Sequence, residues 1–264
     1  MTTHEEGTGS NRYHIRSVER ALSILKLFIY DESELSATEI SKGLDLHRST
    51  TFRFLTTLMS AGFIEQNPDN GKYSLGVVSL ELGSAFLNHS SLRETAVEIL
   101  ETLRDESGET VHLAILEEHE VIYLEKLAGL HPIGLMSSRV GSRSPAYCTG
   151  LGKALLAYLP EDQLQDFLQK TDLIKHTENT ITKRQVFLDE LARIRTFGYA
   201  VDDEEHEMGV MCIAAPVFDH KGIVAAISAA GPSDRMGRKL REEHLEQRVK
   251  EAAGLISSRI GWMH

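Results

Sequence analysis

Apolar residues recur every three to four positions along SVERALSILKLFIY (17–30), where Ala21, Leu25 and Phe28, with Leu22 and Ile29, form one broad stripe. That spacing predicts a helix. SATEISKGL (36–44) opens with Ser36 and Glu39 at the spacing of a capping box, each side chain reaching the other's backbone N–H, and Gly43 suits its end. After the short joint DLH comes HRSTTFRFLTTLMSAGFIE (47–65). Here Phe52, Leu55, Leu58 and Met59 keep helical spacing, Arg48, Ser49, Thr50, Arg53 and Thr57 lie opposite, and Gly62 stops the pattern. The division predicts a helix held down by Phe52, Leu55 and Met59. FIEQ (63–66), NPDNG and KYSL (72–75) then read as two short strands around a turn. Three short helices with a tight joint before the third, followed by a hairpin, make a winged helix-turn-helix.

VVSLELGSAFLNHS (77–90) is helical again and apolar all round, the character of a linker helix that packs in a dimer. A further helix over 91–108 is opened by Ser91 and Glu94 as a second capping box and closed by Gly108. The period then changes to two. Residues 110–129 read as two strands around Glu118–Glu120, and 132–147 as extended and loop structure. Helices follow at 149–159, at 160–170 with Pro160 in first position, and at 182–198 with Thr182 and Gln185 as a third capping box and Gly198 as the stop. YAVDD, VMCIAAPVFD and GIVAAISAAG are strands, the last two joined by a turn at Asp219–Gly222, and one helix over about 240–260 closes the chain. The expected class is α+β, with an antiparallel sheet and outer helices. The expected organisation is a disordered tail (1–15), a winged helix-turn-helix domain (16–76), a linker helix (77–90) and a second, α+β domain (91–264).

Charge at first argues against nucleic acid, because the 264 residues carry a net −11. The acidity is unevenly placed. Residues 12–76 hold eight basic and eight acidic side chains, so that segment is neutral. Phosphate binding depends on local basic groups rather than the chain total. A neutral head binds DNA weakly alone, and a homodimer or homotetramer gains by avidity. The two cysteines, Cys148 and Cys212, lack zinc-ligand spacing. The chain has no apolar run long enough for a membrane span, and its start lacks the basic-then-apolar pattern of a signal peptide. A cytoplasmic protein with reduced thiols and no membrane partner is expected.

The third helix fits double-stranded DNA. A major groove admits one α-helix, and Arg48, Ser49, Thr50 and Arg53 lie in its first two turns. Lys72 in the wing is placed for the phosphate backbone. The competing reading is a solvated face on a winged helix that binds protein. In the second domain, Thr149 and Gly150 open a helix whose backbone N–H groups suit a carboxylate or phosphate; tight packing at a glycine turn explains the same residues. Cys148 near His112 or His206 imitates a thiol nucleophile and base. No HExxH, GxSxG or P-loop pattern is present, so no enzyme, metal or cofactor is expected.

Six segments in order, SVERALSIL, ATEISKGLDLHRSTTFRFLTTLMSAGFIE, KYSLG, SPAYCTGLGKALLAYL, GYAVDDEEHEMGVMCIAAPVFD and AAISAAGP, resemble the IclR-type bacterial transcription regulators over roughly 16–262. The resemblance implies a winged helix-turn-helix, a linker helix and a GAF-like effector domain. It implies a repressor that binds palindromic operators as a dimer or tetramer and senses a small organic acid or sugar acid. It places Thr149 and Gly150 in the effector pocket, with Tyr147, Cys148 and Leu151 flanking them. Asp202, Cys212 and Ser228 match further pocket positions, and Met136 stands as an apolar lid. Ala230 occupies a position where some members carry a second serine. Asp203, Glu204, Glu205, His206 and Glu207 read as a solvated charged loop.

Overall fold

The computed structural model describes residues 15–29, 34–130 and 136–262. The expected disordered tail, apart from Ile15, lies outside the described residues, as do Tyr30 of the first helical stretch and residues 132–135. The chain divides between Phe86 and Leu87 into two units.

In the first unit, α1 (Arg16–Leu27), α2 (Ala37–Gly43) and α3 (Arg48–Ser60) precede a hairpin of β1 (Ile64–Gln66) and β2 (Tyr73–Leu75). The Ser36–Glu39 capping box forms with both bonds, at 3.2 and 2.7 Å. The turn into α3 runs through Asp45, a non-glycine residue at φ 49°, the left-handed region that Asp tolerates better than most. His47 caps α3 by accepting the Ser49 N–H on Nδ1 at 3.3 Å. The core is Ile24, Ile40, Leu55, Leu58, Ile64 and Tyr73. Phe52 is not part of it: the side chain is 63% exposed, while Thr51 is buried. The burial stripe of α3 runs Thr51, Leu55, Leu58 at i, i+4, i+7, and Phe52 stands about 100° around the helix from it. Met59 packs at the edge of the core. On α1, Ile24 is buried and Leu22 exposed, and Ile29 in the turn after the helix is exposed as well.

The helix α4 (Val77–Asn88) buries none of its residues, and Val77, Leu80, Leu82 and Phe86 are all exposed. After α5 (Ser91–Ser107) the second unit forms a six-stranded antiparallel sheet. Its strands are β3 (Thr110–Glu117), β4 (Glu120–Leu127), β5 (Arg143–Pro145), β6 (Ala200–Asp203), β7 (Val210–Asp219) and β8 (Gly222–Pro232), in spatial order β5-β4-β3-β8-β7-β6. The remaining helices are α6 (Gly150–Leu156), α7 (Glu161–Lys170), α8 (Arg184–Phe197), α9 (Ser233–Glu242) and α10 (Leu245–Arg259). Two cores result. Leu100, Leu113, Ile213, Ile227, Val249 and Ile256 pack beneath α5 and α10. Leu151, Leu155, Phe167, Phe187, Leu191, Ala214 and Ala226 pack with α6, α7 and α8.

Several local expectations shift. Ser90, not Ser91, caps α5 and accepts the Arg93 N–H at 3.3 Å. The third capping box is absent: α8 begins at Arg184 without a side-chain cap, its start set by burial of Phe187, Leu191 and Ile194. Pro160 is the N-cap of α7 rather than its first residue. The closing helix is two helices, broken at His244 with φ 49°. Gly108 and Gly198 end α5 and α8 in the left-handed conformation, as their positions predict.

Candidate effector pocket and DNA-reading helix

Strand alternation builds one wall of a cavity. On β7, Met211 and Ile213 point into the core beneath α10, while Cys212 and Ala214 face α6. The register pairs Asp202 with Cys212, Cys212 with Ala230, Ala214 with Ser228, and Ser228 with His112. Four adjacent strands therefore present Asp202, Cys212, Ala230, Ser228 and His112 to one space. The opposite wall is Thr149, Gly150 and Leu151 at the start of α6, and Met136, Ser137 and Ser138 close one side. The cavity measures about 40 Å³, room for roughly three water-sized groups.

Glycine lets α6 come this close. A Cβ on Gly150 would lie 3.0 Å from Cys212 Sγ, and one on Gly152 would overlap Ala146 Cα and O. The Thr149 hydroxyl accepts the Gly152 N–H at 3.2 Å, capping the helix. Tight packing and pocket lining thus occur in the same segment.

Of the expected pocket residues, Met136, Thr149, Gly150, Leu151, Asp202, Cys212 and Ser228 line this cavity. Tyr147 and Cys148 do not. They belong to the short 3-10 turn before α6, which turns their side chains into the core beneath it. The Tyr147 hydroxyl donates to the Ile174 carbonyl at 2.9 Å and lies 2.9 Å from His176 Nε2. Sequence reasoning missed His112, Tyr123, Ser137, Ser138, His206, Glu207 and Val210 as lining. His112 was findable, since the period of two places it on the face of Ala114. His206 and Glu207 were hidden inside an acidic run.

That run is not a solvated loop. Lys153, 1% exposed, donates to the Glu205 carboxylate and, at 2.6 Å, to the Val201 carbonyl. Asp202 Oδ1 accepts the Glu205 N–H at 2.8 Å and the His206 N–H at 3.4 Å. Thr177 donates to the Glu204 carbonyl at 2.5 Å, and Thr180 to that of Glu205 at 2.6 Å.

The electrostatics are those of a nearly neutral box. Burial pushes the Asp202 carboxyl up to about 7, against the pull of Lys153. Burial holds His112 neutral, lowered to about 3 with Lys126 contributing. Its Nε2 lies 3.0 Å from Ser138 Oγ and its Nδ1 3.3 Å from Ser228 Oγ. Burial pushes the Cys212 thiol up to about 12 and the Cys148 thiol up as well, so neither is a thiolate at neutral pH.

In the first unit, Arg48, Ser49 and Arg53 are exposed along α3, Thr50 is half-buried, and Lys72 is half-buried beside the wing turn. Glu34 fixes that turn by accepting from the Asn67 and Asn70 amides, both at 2.7 Å. Ser49 Oγ lies 2.8 Å from His47 Nδ1.

Comparison with known proteins matches residues 17–68 to the IclR helix-turn-helix domain and residues 84–258 to the bacterial transcriptional regulator IclR C-terminal domain. The chain belongs to the IclR family. It is thus similar to DNA-binding transcriptional regulators, not to enzymes. The HTH-type transcriptional regulator XynR of Escherichia coli K12 is 39% identical over 246 residues, covering 93% of this chain and 96% of that protein. The transcriptional repressor IclR of the same organism is 36% identical over 225 residues, covering 84% and 82%. The crystal structure of an IclR homolog from Microbacterium hydrocarbonoxydans, complexed with 4-hydroxybenzoate, superimposes with a TM-score of 0.78 at 27% identity, covering 92% and 98%. The His112 ring in this IclR-family chain is engaged by two serines rather than by a cysteine. Among the described residues, no cluster suits a metal ion and no helix is long and apolar enough to cross a membrane.

The raised Asp202 carboxyl makes stability depend on pH with a defined sign. The native state keeps this proton up to about pH 7, while an unfolded Asp releases it from its ordinary value of 3.8. The stabilisation is complete below the unfolded value and is lost as pH rises through 7. Melting temperatures of wild type should therefore fall relative to Asp202→Asn between pH 5 and 7, with a constant gap above that. A gap that does not change with pH would remove the proton from Asp202.

Proposed function

We propose that this IclR-family regulator is a repressor that binds a palindromic operator as a homodimer or homotetramer and responds to a small organic acid or sugar acid. The observation that carries the ligand reading is the cavity itself: buried, polar on one wall, and formed from the even-numbered positions of β7 and β8 with the glycine-rich start of α6. Its donors are neutral: the Ser228, Ser138 and Tyr123 hydroxyls, the Cys212 thiol and the His112 ring. Lys126 is committed to the Ser138 carbonyl at 2.5 Å, and Lys153 to Glu205. Among the described residues, a ligand carboxylate therefore meets Asp202 and Glu207 with no uncommitted lysine beside them, and binds best while Asp202 holds its proton. The relative complexed with 4-hydroxybenzoate supports a carboxylate ligand. Ligand binding shifts the repressor only through a difference in affinity between its DNA-binding and released states.

For DNA, α3 lies in the major groove, with Arg48, Ser49, Thr50 and Arg53 toward the bases and backbone and Lys72 on a phosphate. A second copy covers α4, whose Val77, Leu80 and Phe86 are exposed, together with the exposed stripe Ile15, Val18 and Leu22 on and beside α1. Two linked heads place two such helices about one DNA turn, roughly 34 Å, apart.

Three measurements test this reading. Arg48→Ala combined with Arg53→Ala should weaken a gel shift on the upstream promoter fragment at least tenfold, since each bidentate base contact is worth about 1–3 kcal/mol; full retention would remove α3 from the groove. Leu80→Asp should weaken binding to the palindrome while leaving half-site binding unchanged, and an equal loss on both would place α4 outside the dimer contact. In a thermal-shift panel of oxo-acids, sugar acids and aromatic acids, an effector at 100 times its Kd should raise melting by about 5–10 °C, more at pH 6 than at pH 8.5. Silence across the panel defeats the carboxylate reading.

A further inference from the structure

We propose that Phe52 is a base-reading residue whose ring takes the C5-methyl group of a thymine in each operator half-site. The proposal rests on α3 being the helix that enters the major groove. Phe52 is 63% exposed, although burying a phenylalanine side chain is favourable. It sits in the first two turns of α3, four residues after Arg48, three after Ser49 and one before Arg53. These four residues, with Ala37 and Thr38 from the start of α2, line one shallow cleft. The cleft therefore sets an aromatic ring and an alanine methyl between two exposed arginines.

That combination has a specific complement in B-DNA. Thymine alone among the four bases carries a methyl group on the major-groove edge, and apolar side chains recognise it by contact. Arginines on either side suit guanine edges or phosphates. A second copy of the chain is a poorer complement for this cleft, since its flanks are two like charges, whereas the uncharged apolar faces for self-association lie on α1 and α4. Phe52 then contributes to discrimination without contributing to the fold, which matches its absence from the first unit's core.

The test uses the full-length protein. An operator is first selected from a random duplex library, and each symmetric thymine pair in it is replaced by deoxyuridine, which removes only the methyl groups. Loss of one buried methyl is worth about 0.8 kcal/mol, or about fourfold. One symmetric pair should therefore weaken wild-type binding about 15-fold, and the same replacement should leave Phe52→Ala unchanged. Phe52→Ala should keep the wild-type melting temperature, and Phe52→Leu should retain part of the methyl response. If no deoxyuridine pair matters, or if wild type and Phe52→Ala lose equally, Phe52 is not the reader. The Arg48→Ala, Arg53→Ala double variant separates the two levels. If it loses affinity while Phe52→Ala keeps the wild-type methyl response, α3 is still in the groove and only the thymine assignment falls. If it binds like wild type, α3 is not the groove helix and both fall.

Discussion

A lysine ammonium buried in the second unit must be neutralised from within, and the cavity beside the start of α6 is arranged around that requirement. Removing an ammonium and a carboxylate from water costs several kcal/mol for each ion, and only close pairing with further hydrogen bonds repays it. Lys153 meets the demand from α6 with the Glu205 carboxylate and the Val201 carbonyl, and Glu190 Oε1 lies 3.8 Å away. The end of β6 and the loop after it are thereby drawn inward. Asp202 is carried with them to the cavity wall, where the N–H groups of Glu205 and His206 fix its carboxyl. Because Lys153 is committed to Glu205, it compensates Asp202 only in part. Burial therefore raises the proton affinity of Asp202, and Lys153 opposes it only in part.

The rim of the cavity is held by smaller versions of the same rule. Backbone carbonyls in the 203–207 loop cannot all face water, and Asn179, Thr177 and Thr180 supply the missing donors to Asp203, Glu204 and Glu205. On the other side, Ser137 bonds the Glu207 carboxylate and Ser138 is held by His112 and Lys126. Any molecule larger than about three water-sized groups would have to displace these contacts to enter the cavity of about 40 Å³.

The fold class and most elements were legible because helix and strand periods differ and because caps are local chemistry. Ser36, Glu39, Gly108 and Gly198 act within a few residues of their own positions, and their roles could be read directly. What failed depends on neighbours distant in sequence. Phe52 has helical spacing with Leu55 and Met59, yet the burial of Thr51, Leu55 and Leu58 against the other helices sets a different phase. Tyr147 and Cys148 stand next to Thr149, but a 3-10 turn rotates them away from the cavity. The run DDEEHE looks solvated until Lys153, about 50 positions earlier, is placed beneath it. Seven expected pocket residues came together because they were taken from the family resemblance, and cross-strand register then brings distant positions side by side.

The alternation along β7 and β8 has a consequence for how such regulators diverge. Met211, Ile213, Ile227 and Ala229 hold the sheet to the helices behind it, while Cys212, Ser228 and Ala230, interleaved with them, face the cavity. The packing beneath α5 and α10 and the lining of the cavity are thus written on opposite sides of the same strands. A substitution at an interleaved cavity position leaves the packing beneath α5 and α10 intact, so the lining can change while that side of the sheet is kept.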